Sequence, residues 1–273
     1  MIGRLAKIAV GAVAVAVVAC VDLSAPNNQP ASISLVQVPE QFIVRGDAMR
    51  DSTGKIVEPT VVAFDANGTP VSEFKASFFV TDTVPVFGIA SNGSLVAGNK
   101  TGIGHILGQI GGVQTPTLQI YVTVEPKALV KTTTGSDTLL LVLNTDSAKA
   151  IARFAMAVAV RGGTGAPTDS GVGGAFVTYR LLPPPLASSK PTSTVAYVAD
   201  GANNPSTVDT TNSSGVSQNR SLVVNSSTLA DTALLNGSKV ATLVVEASMS
   251  YRGVPLVGSP QRFAITLKSP FAK

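Results

Sequence analysis

The stretch TLQIYVTVEP, residues 117–126, indicates the fold of this chain most directly. Apolar side chains alternate along it with polar or amphipathic ones: Leu118, Ile120, Val122 and Val124 against Gln119, Tyr121 and Thr123. Successive side chains of an extended chain point to opposite faces, so a period of two predicts a β-strand with one buried face. Pro126 ends the pattern, because proline cannot continue a central ladder of hydrogen bonds. We therefore expect a boundary at residues 125–127.

Turn signals precede this strand at short intervals. Asn67-Gly68 lies between apolar residues 61–64 and 70–71, and Asn92-Gly93 lies between residues 86–89 and 95–96. Asn-Gly predicts a β-hairpin, because both residues tolerate positive φ. Further glycines punctuate the next pair of strands: Gly102, Gly104, Gly111 and Gly112. Short strands with turn signals about every 8–12 residues indicate a β-sandwich.

The series VVAFDANGTPV (61–71), IASNGSLVAGNKTG (89–102) and TLQIYVTVEP (117–126) resembles a bacterial immunoglobulin-like (Ig-like) domain of the second group. Such domains occur in invasin- and intimin-like surface proteins and in many bacterial lipoproteins. The resemblance covers residues 32–126 and implies an Ig-like β-sandwich. One departure is that the family's aromatic residue before a central Asp is shifted here, with Phe78-Phe79 ahead of Thr81-Asp82.

Residues 127–273 are also rich in strand patterns. Residues 243–251 and 262–267 alternate as one-side-buried antiparallel strands do. Residues 151–160 contain alanines that would also suit a helix, but Phe154, Met156, Val158 and Val160 keep a period of two and favour a strand. This half is similar to a second Ig-like domain. Its length exceeds the roughly 100 residues of one sandwich, and we assign the excess to loops at 183–191 and 202–205.

The N-terminus has the pattern of a secretory signal peptide. Arg4 and Lys7 precede an apolar run at residues 8–19, which is shorter than the roughly 20 residues that span a bilayer. Val17-Val18-Ala19-Cys20 resembles the bacterial lipobox. That resemblance implies cleavage between Ala19 and Cys20, a diacylglycerol on the Cys20 sulfur and an N-acyl chain such as palmitate. An ordinary signal peptide cut after Ala19 is the alternative.

A tether and an envelope location follow from the same segment. Residues 20–31 hold the lipidated Cys and a Pro/Asn-rich linker to the first folded unit. In some bacteria an Asp directly after the lipidated Cys retains lipoproteins at the inner membrane. Val21 stands there in this chain, so the resemblance favours the outer membrane, facing either the periplasm or the cell surface.

Composition excludes several classes of protein. Charged residues make up 13% of the chain, about half of the usual 25%. The formal net charge of +4 falls to about +2 without the leader's Arg4 and Lys7, so we expect no nucleic-acid partner. The lone Cys20 allows no internal disulfide.

Few residues suggest chemistry. His105 is the sole histidine, without an orienting acid or a nucleophile nearby in sequence, and we expect a structural role for it. The loops at 65–67 and 209–212 offer one carboxylate each, too few for calcium, and turn chemistry is the better interpretation. The glycine-rich stretches 162–165 and 171–174 lack the lysine and helix of a phosphate loop, and we interpret them as hairpin loops.

No catalytic group, metal site or cofactor is predicted. Four tyrosines could build a sugar-binding platform if they shared a sheet face, but core and edge positions are the simpler expectation: Tyr121, Tyr179, Tyr197 and Tyr251. We hypothesise a non-catalytic, lipid-anchored envelope protein that presents Ig-like domains to a protein or glycan partner for adhesion or interaction. A polysaccharide-binding module and an accessory subunit of an envelope-assembly or secretion complex are the alternatives, the latter through an unpaired edge strand.

Overall fold

The computed structural model describes residues 30–72, 74–133, 137–144, 149–183, 195–229 and 231–271. It is nearly all β, with 47% strand and 4% helix. The strands form two sandwiches in tandem, as the sequence predicts. The leader, Ala19, Cys20 and most of the tether lie outside the described residues. Within the described ranges, no helix is long and apolar enough to cross a bilayer.

The first sandwich contains ten strands, β1 to β10. Their bounds are Ser32–Ile33, Phe42–Val44, Ala63–Phe64, Pro70–Val71, Ser77–Val80, Phe87–Ile89, Leu95–Ala97, Gly102–Ile110, Val113–Gln114 and Leu118–Thr123. One sheet has the order β2-β10-β8-β5, with β9 paired to β8; the others are β1-β3-β4 and the hairpin β6-β7. Ile106, Ile120 and Leu95 are fully buried in its core.

The second sandwich contains strands β11 to β21. Their bounds are Ala128–Lys131, Thr138–Leu140, Ile151–Arg161, Phe176–Leu181, Ala196–Ala199, Val208–Thr210, Val216–Asn225, Ala241–Ser248, Ser250–Tyr251, Val254–Pro255 and Gln261–Lys268. A four-stranded sheet β11-β13-β17-β15 packs on a five-stranded sheet β12-β21-β18-β14-β16, and β19 pairs with β20. A 3-10 turn at Ser226–Thr228 and one helical turn, α1 (Thr232–Leu235), interrupt the strands.

The strand expected at 151–160 is β13, and its alternation is visible in the burial of Ala152, Phe154, Met156 and Val158. The short chain 124–127 connects β10 to β11, with Pro126 buried in it. The loop expected at 202–205 follows β15, whereas residues 184–191 lie outside the described ranges.

Both sandwiches begin in the same way, which the sequence did not indicate. The first strand joins one sheet in antiparallel pairing: β1 pairs with β3, and β11 pairs with β13. The next strand crosses to the other sheet and pairs in parallel with the last strand: β2 with β10, and β12 with β21. The remaining pairs of described strands are antiparallel, and these two edges are parallel because the N-terminal strand is divided between the two layers.

Five turns in the described residues share one five-residue form. The first residue's N–H donates to the fifth carbonyl, the fourth N–H donates to the first carbonyl, and the fourth residue has positive φ. This form occurs at residues 51–55, 65–69, 90–94, 200–204 and 212–216. The two Asn-Gly hairpins are confirmed, but only the glycine of each pair, Gly68 and Gly93, takes positive φ.

Two of the glycines that we expected at turns between strands lie inside a strand instead. Gly102 and Gly104 belong to β8, and only Gly111 occupies the following turn with positive φ, at +57°. A Cβ on Gly104 would lie 2.5 Å from Cε1 of Phe87. Gly104 is therefore required by the close approach of a buried aromatic ring.

Candidate interaction site at the seam between the sandwiches

Backbone hydrogen bonds join the two sandwiches along a seam. We define this seam as residues 40–42 and 121–124 of the first sandwich together with 170–176 and 250–253 of the second. The Gln41 N–H donates to the Gly174 carbonyl at 3.1 Å, and the Phe176 N–H donates to Oε2 of Glu40 at 2.9 Å. Both bonds satisfy backbone groups at the start of β14, so the second sandwich depends on the first for them.

The glycine-rich stretch 171–174 permits this approach. A Cβ on Gly173 would lie 2.7 Å from Cδ1 of Tyr121. At Gly174, φ is +79° and a Cβ would lie 2.3 Å from the Gln41 carbonyl oxygen. In the other glycine-rich stretch, a Cβ on Gly162 would lie 2.2 Å from Cγ2 of Val124. Both stretches are loops, as expected, and their glycines allow contact between the sandwiches.

Aromatic rings close the seam on its apolar side. Phe42 belongs to β2 of the first sandwich, yet its side chain is buried in the core cluster of the second. Its ring centroid lies 6.0 Å from that of Tyr251. A strand of the first sandwich thereby contributes a side chain to the core of the second, and Val44, Tyr121 and Val124 pack against the same core.

Charged groups reinforce the seam at its surface. Asp47 accepts hydrogen bonds from Arg50, with Nη2 to Oδ1 at 2.9 Å, and from Arg252 at the tip of the β19–β20 hairpin. The hydrogen bond from Arg50 is the main reason that the pKa of Asp47 lies below its usual value. The guanidinium of Arg252 also lies 5.0 Å above the Tyr251 ring.

Glu40 is the most perturbed acid of the seam. Burial raises the pKa of Glu40 from 4.5 to about 7, and the hydrogen bond from the Phe176 N–H opposes this rise only in part. The carboxylate is placed there by β2 and held by β14. No local sequence signal identifies Glu40, because its partner is 136 residues away.

A cleft of about 410 Å³ opens beside the seam. Its walls are the outer faces of β8 and β10, Arg45, the loop 170–173 and Ser213. Ile103 is 44% exposed and Tyr121 is half-buried on this face. Hydroxyl groups of Thr101, Tyr121, Ser170 and Ser213 line it. The cleft thus combines a guanidinium, several hydroxyl groups, an aromatic ring and an aliphatic side chain.

His105 lies on the same outer face, paired with Asp82. Nδ1 of His105 is 2.8 Å from Oδ1 of Asp82, and the His105 N–H donates to Oδ2 at 2.5 Å. These contacts, with the side-chain hydrogen bond foremost, lower the pKa of Asp82. Among the described residues, no serine, threonine or cysteine side chain is hydrogen-bonded to the imidazole. Asp82 is thus an orienting acid for His105 that the sequence did not reveal.

The loops considered for calcium use their carboxylates internally. Oδ1 of Asp65 accepts the N–H groups of Asn67 and Thr69, both at 2.8 Å. Asp209 is buried and accepts from the Ser217 hydroxyl at 2.7 Å and the Asn219 N–H at 3.0 Å. Across the described part of the chain, no group of three or more His, Cys, Asp or Glu side chains is arranged to hold a metal.

The four tyrosines do not share one face. Tyr179 is fully buried, its hydroxyl is 2.8 Å from that of Ser217, and burial raises the pKa of Tyr179 to about 12. Tyr251 packs in the seam, Tyr197 lies on the edge strand β15, and Tyr121 faces the cleft. Tyr179 and Tyr197 lie at core and edge positions, as expected, whereas Tyr121 lies on the interior strand β10 and lines the cleft.

No protein-family profile and no curated protein matches the chain. Solved structures similar to it include the Yersinia pseudotuberculosis adhesin InvE, at 17% identity over 86% of this chain and 58% of that one, with a TM-score of 0.35. The D0-D1 domain of intimin is 10% identical over 88% of this chain and 98% of that one, with a TM-score of 0.27. The Escherichia coli adhesin FdeC is 17% identical over 86% and 63%, with a TM-score of 0.28. All three matches are at low identity, and the chain spans less than two thirds of the InvE and FdeC chains.

Proposed function

We propose that this chain is a lipid-anchored envelope protein that presents two joined Ig-like sandwiches for adhesion or protein–protein interaction, without catalysing a reaction. The seam is the observation that carries the proposal. Gln41, Glu40 and Phe42 connect the first sandwich to the second through backbone, carboxylate and ring contacts. A pair joined in this way holds its exposed cleft and sheet faces in fixed relative positions, which suits presentation to a partner.

The anchor belongs to the same proposal. Cys20 and the lipobox before it supply the membrane attachment, because two or three acyl chains give stable binding where one does not. Residues 20–31 span at most about 40 Å when fully extended, at roughly 3.3–3.6 Å per residue. The start of the first sandwich therefore stays within that distance of the membrane. The outer membrane is the proposed location, from Val21 after the lipidated Cys.

Cys20→Ser in the full chain, produced in a bacterial host, tests the anchor. We expect the wild type to incorporate a metabolically supplied alkyne fatty acid and to sediment with outer membranes on a density gradient. Cys20→Ser should lose the label and leave the membrane fraction. Asp22→Ala, just outside the lipobox, serves as the matched control and should keep both properties. A Cys20→Ser protein that still sediments wholly with membranes would overturn the anchor.

The side chains described above support the proposal that the chain is non-catalytic. The imidazole of His105 is hydrogen-bonded to Asp82, and the buried Asp209 is engaged with Ser217 and the Asn219 N–H. Among the described residues, no hydroxyl or thiol side chain is hydrogen-bonded to the His105 imidazole, and the Ser217 hydroxyl beside Asp209 is fully buried. Binding is therefore the chemistry that the arrangement supports.

A further inference from the structure

The cleft beside the seam carries an uncompensated positive charge. The guanidinium of Arg45 is exposed and has no carboxylate partner among the described residues. Arg161 lies behind the cleft wall, where its Nη1 reaches only the carbonyl oxygens of Asp169 and Ser214, each at 3.4 Å. The Nε atom of Arg161 is buried without a hydrogen-bond partner. Arg45 thus lines the cleft without a carboxylate partner in the described chain, and Arg161, paired with Gly171 of the cleft wall, is only weakly compensated.

The acids nearest to the cleft are already engaged. Asp47 is paired with Arg50 and Arg252, and Glu125 lies 3.7 Å from Nζ of Lys127. Oδ2 of Asp169 accepts the N–H groups of Gly165 and Ala166, both at 2.9 Å. Since these carboxylates have other partners, the field in the cleft favours an anionic ligand.

The remainder of the lining is rich in hydroxyl groups. The side-chain oxygens of Thr101, Tyr121, Ser170 and Ser213 have no hydrogen-bond partner within the described protein, and each can donate and accept. The Tyr121 ring and the exposed Ile103 supply an apolar surface on the same wall. Such a lining matches a molecule with an apolar face and a hydroxyl-bearing rim.

We infer that this cleft binds an acidic saccharide, with Arg45 pairing to a sugar carboxylate, the hydroxyl groups bonding to the sugar hydroxyls, and Tyr121 with Ile103 packing against the ring. A volume of about 410 Å³ accommodates one or two sugar rings and falls in the range of small-ligand sites. The inference deepens the proposed function by giving a ligand class to the presented module, and it rests on that function only for its biological setting.

A peptide fits this cleft less well. Peptides that add to a sheet need an unpaired strand edge. The cleft wall is formed by β8 and β10, and both are interior: β10 lies between β2 and β8, and β8 lies between β10 and β5. Neither strand offers an unpaired edge there, so a peptide cannot add to the sheet as a further strand.

Binding of trigalacturonate to the detergent-solubilised full chain tests the inference by titration calorimetry. The methyl-esterified trimer is the matched neutral probe. We expect the acid to bind, added salt to weaken it, and the ester to bind roughly tenfold more weakly or not at all. Arg45→Gln should weaken binding of the acid by roughly tenfold or more, because a charge-assisted pair is lost. Arg153→Gln removes a similarly exposed arginine on β13 and should leave the affinity unchanged.

Several results would overturn the inference: equal affinity for acid and ester, no binding at millimolar concentration, an unchanged affinity for Arg45→Gln, or tighter binding of a short peptide carboxylate than of the trimer. Thermal unfolding shows whether each variant is folded. Thr101→Val, an exposed and isosteric change, gives a second measurement and should weaken binding about threefold. Loss of the Cys20 anchor would leave all these affinities in place, so failure of the anchor and failure of the cleft are distinguishable.

Discussion

The carboxyl group of Glu40 links the stability of the protein to pH. Its pKa is about 7 in the folded chain against 4.5 as a reference, because burial disfavours the charged form. The folded state therefore holds this proton more tightly than the unfolded state. It follows that the contribution of Glu40 to the free energy of unfolding falls as pH rises from about 4.5 to about 7. A shift of this size corresponds to at most about 3 kcal/mol.

Glu40→Gln should remove that dependence, since the amide carbonyl can still accept the Phe176 N–H. We expect the variant to match the wild type near pH 4 and to exceed it by up to about 3 kcal/mol near pH 8. Urea unfolding at both pH values measures the difference. An identical difference between the two proteins at pH 4 and pH 8 would contradict the assignment.

Asp65 stabilises its hairpin through a single oxygen atom. Oδ1 accepts two backbone N–H groups, from Asn67 and Thr69. Asp65→Ala leaves both donors without that partner, so we expect a loss of about 1–2 kcal/mol in the free energy of unfolding. Asn67→Ala changes an exposed side chain in the same turn and should cost under about 0.5 kcal/mol. If Asp65→Ala and Asn67→Ala lost the same free energy of unfolding in chemical denaturation, Asp65 would have no special role in capping this turn.

These residues differ in how far the sequence could have predicted them. The cap at Asp65 acts on residues two and four positions ahead, and the Asp-x-x-Gly spacing makes it readable. Glu40 acts on Phe176, and the Asp82–His105 pair spans 23 residues. Contacts of that separation depend on strand register and packing, which a single sequence does not contain.

Among the structural elements, the loop 171–174 can be compared with the hairpin turn at 65–69, because each contains a glycine with positive φ. Gly174 and Gly68 have φ of +79° and +78°, so alanine meets the same backbone strain at both. A Cβ at Gly68 contacts nothing within 4 Å, whereas at Gly174 it would lie 2.3 Å from the Gln41 oxygen. We expect Gly68→Ala to cost about 1 kcal/mol and Gly174→Ala to cost a further 1–3 kcal/mol from overpacking.

The free energies of unfolding of the two alanine variants are compared by chemical denaturation. Because the backbone strain is the same at both positions, the difference between them gives the cost of the close contact at the seam. Faster proteolysis of Gly174→Ala at the 124–127 connection would be consistent with a loosened seam. Equal destabilisation of the two variants would show that the loop 171–174 can move away from Gln41 without cost.

The alternating strands were predictable because each buries one face within its own sandwich. β10 and β21 follow the alternation of their sequences. The alanines of β13 would also suit a helix, but alternate residues of this segment face the second core, as a strand requires. The glycines were harder to interpret. Gly104 in β8 packs closely against the ring of Phe87, and Gly173 in the loop packs closely against the ring of Tyr121. Both rings are distant from these glycines in sequence. A glycine needed for a turn and one needed for close packing look alike in a sequence.

At the scale of the molecule, Phe42 determines whether the two sandwiches unfold together. Its backbone pairs with Tyr121 in the first sandwich, and its side chain is 5% exposed in the core of the second. In a urea series followed by hydrogen exchange mass spectrometry, we expect β10 and β14 of the wild type to lose protection at the same concentration. Phe42→Ala should cost about 3–5 kcal/mol and separate the two transitions.

Phe87→Ala is the matched control for that separation. Phe87 is equally well buried, at 3% exposure, but belongs to the core of the first sandwich alone. Its loss should destabilise the protein by a similar amount while the seam keeps β10 and β14 in one transition. A single transition in Phe42→Ala would mean that the backbone bonds of Gln41 and the carboxylate of Glu40 couple the two sandwiches without the Phe42 ring. Separate transitions in the wild type would mean that all of these contacts together are too weak to make the pair a single cooperative unit, and that the cleft beside the seam changes shape as the sandwiches move.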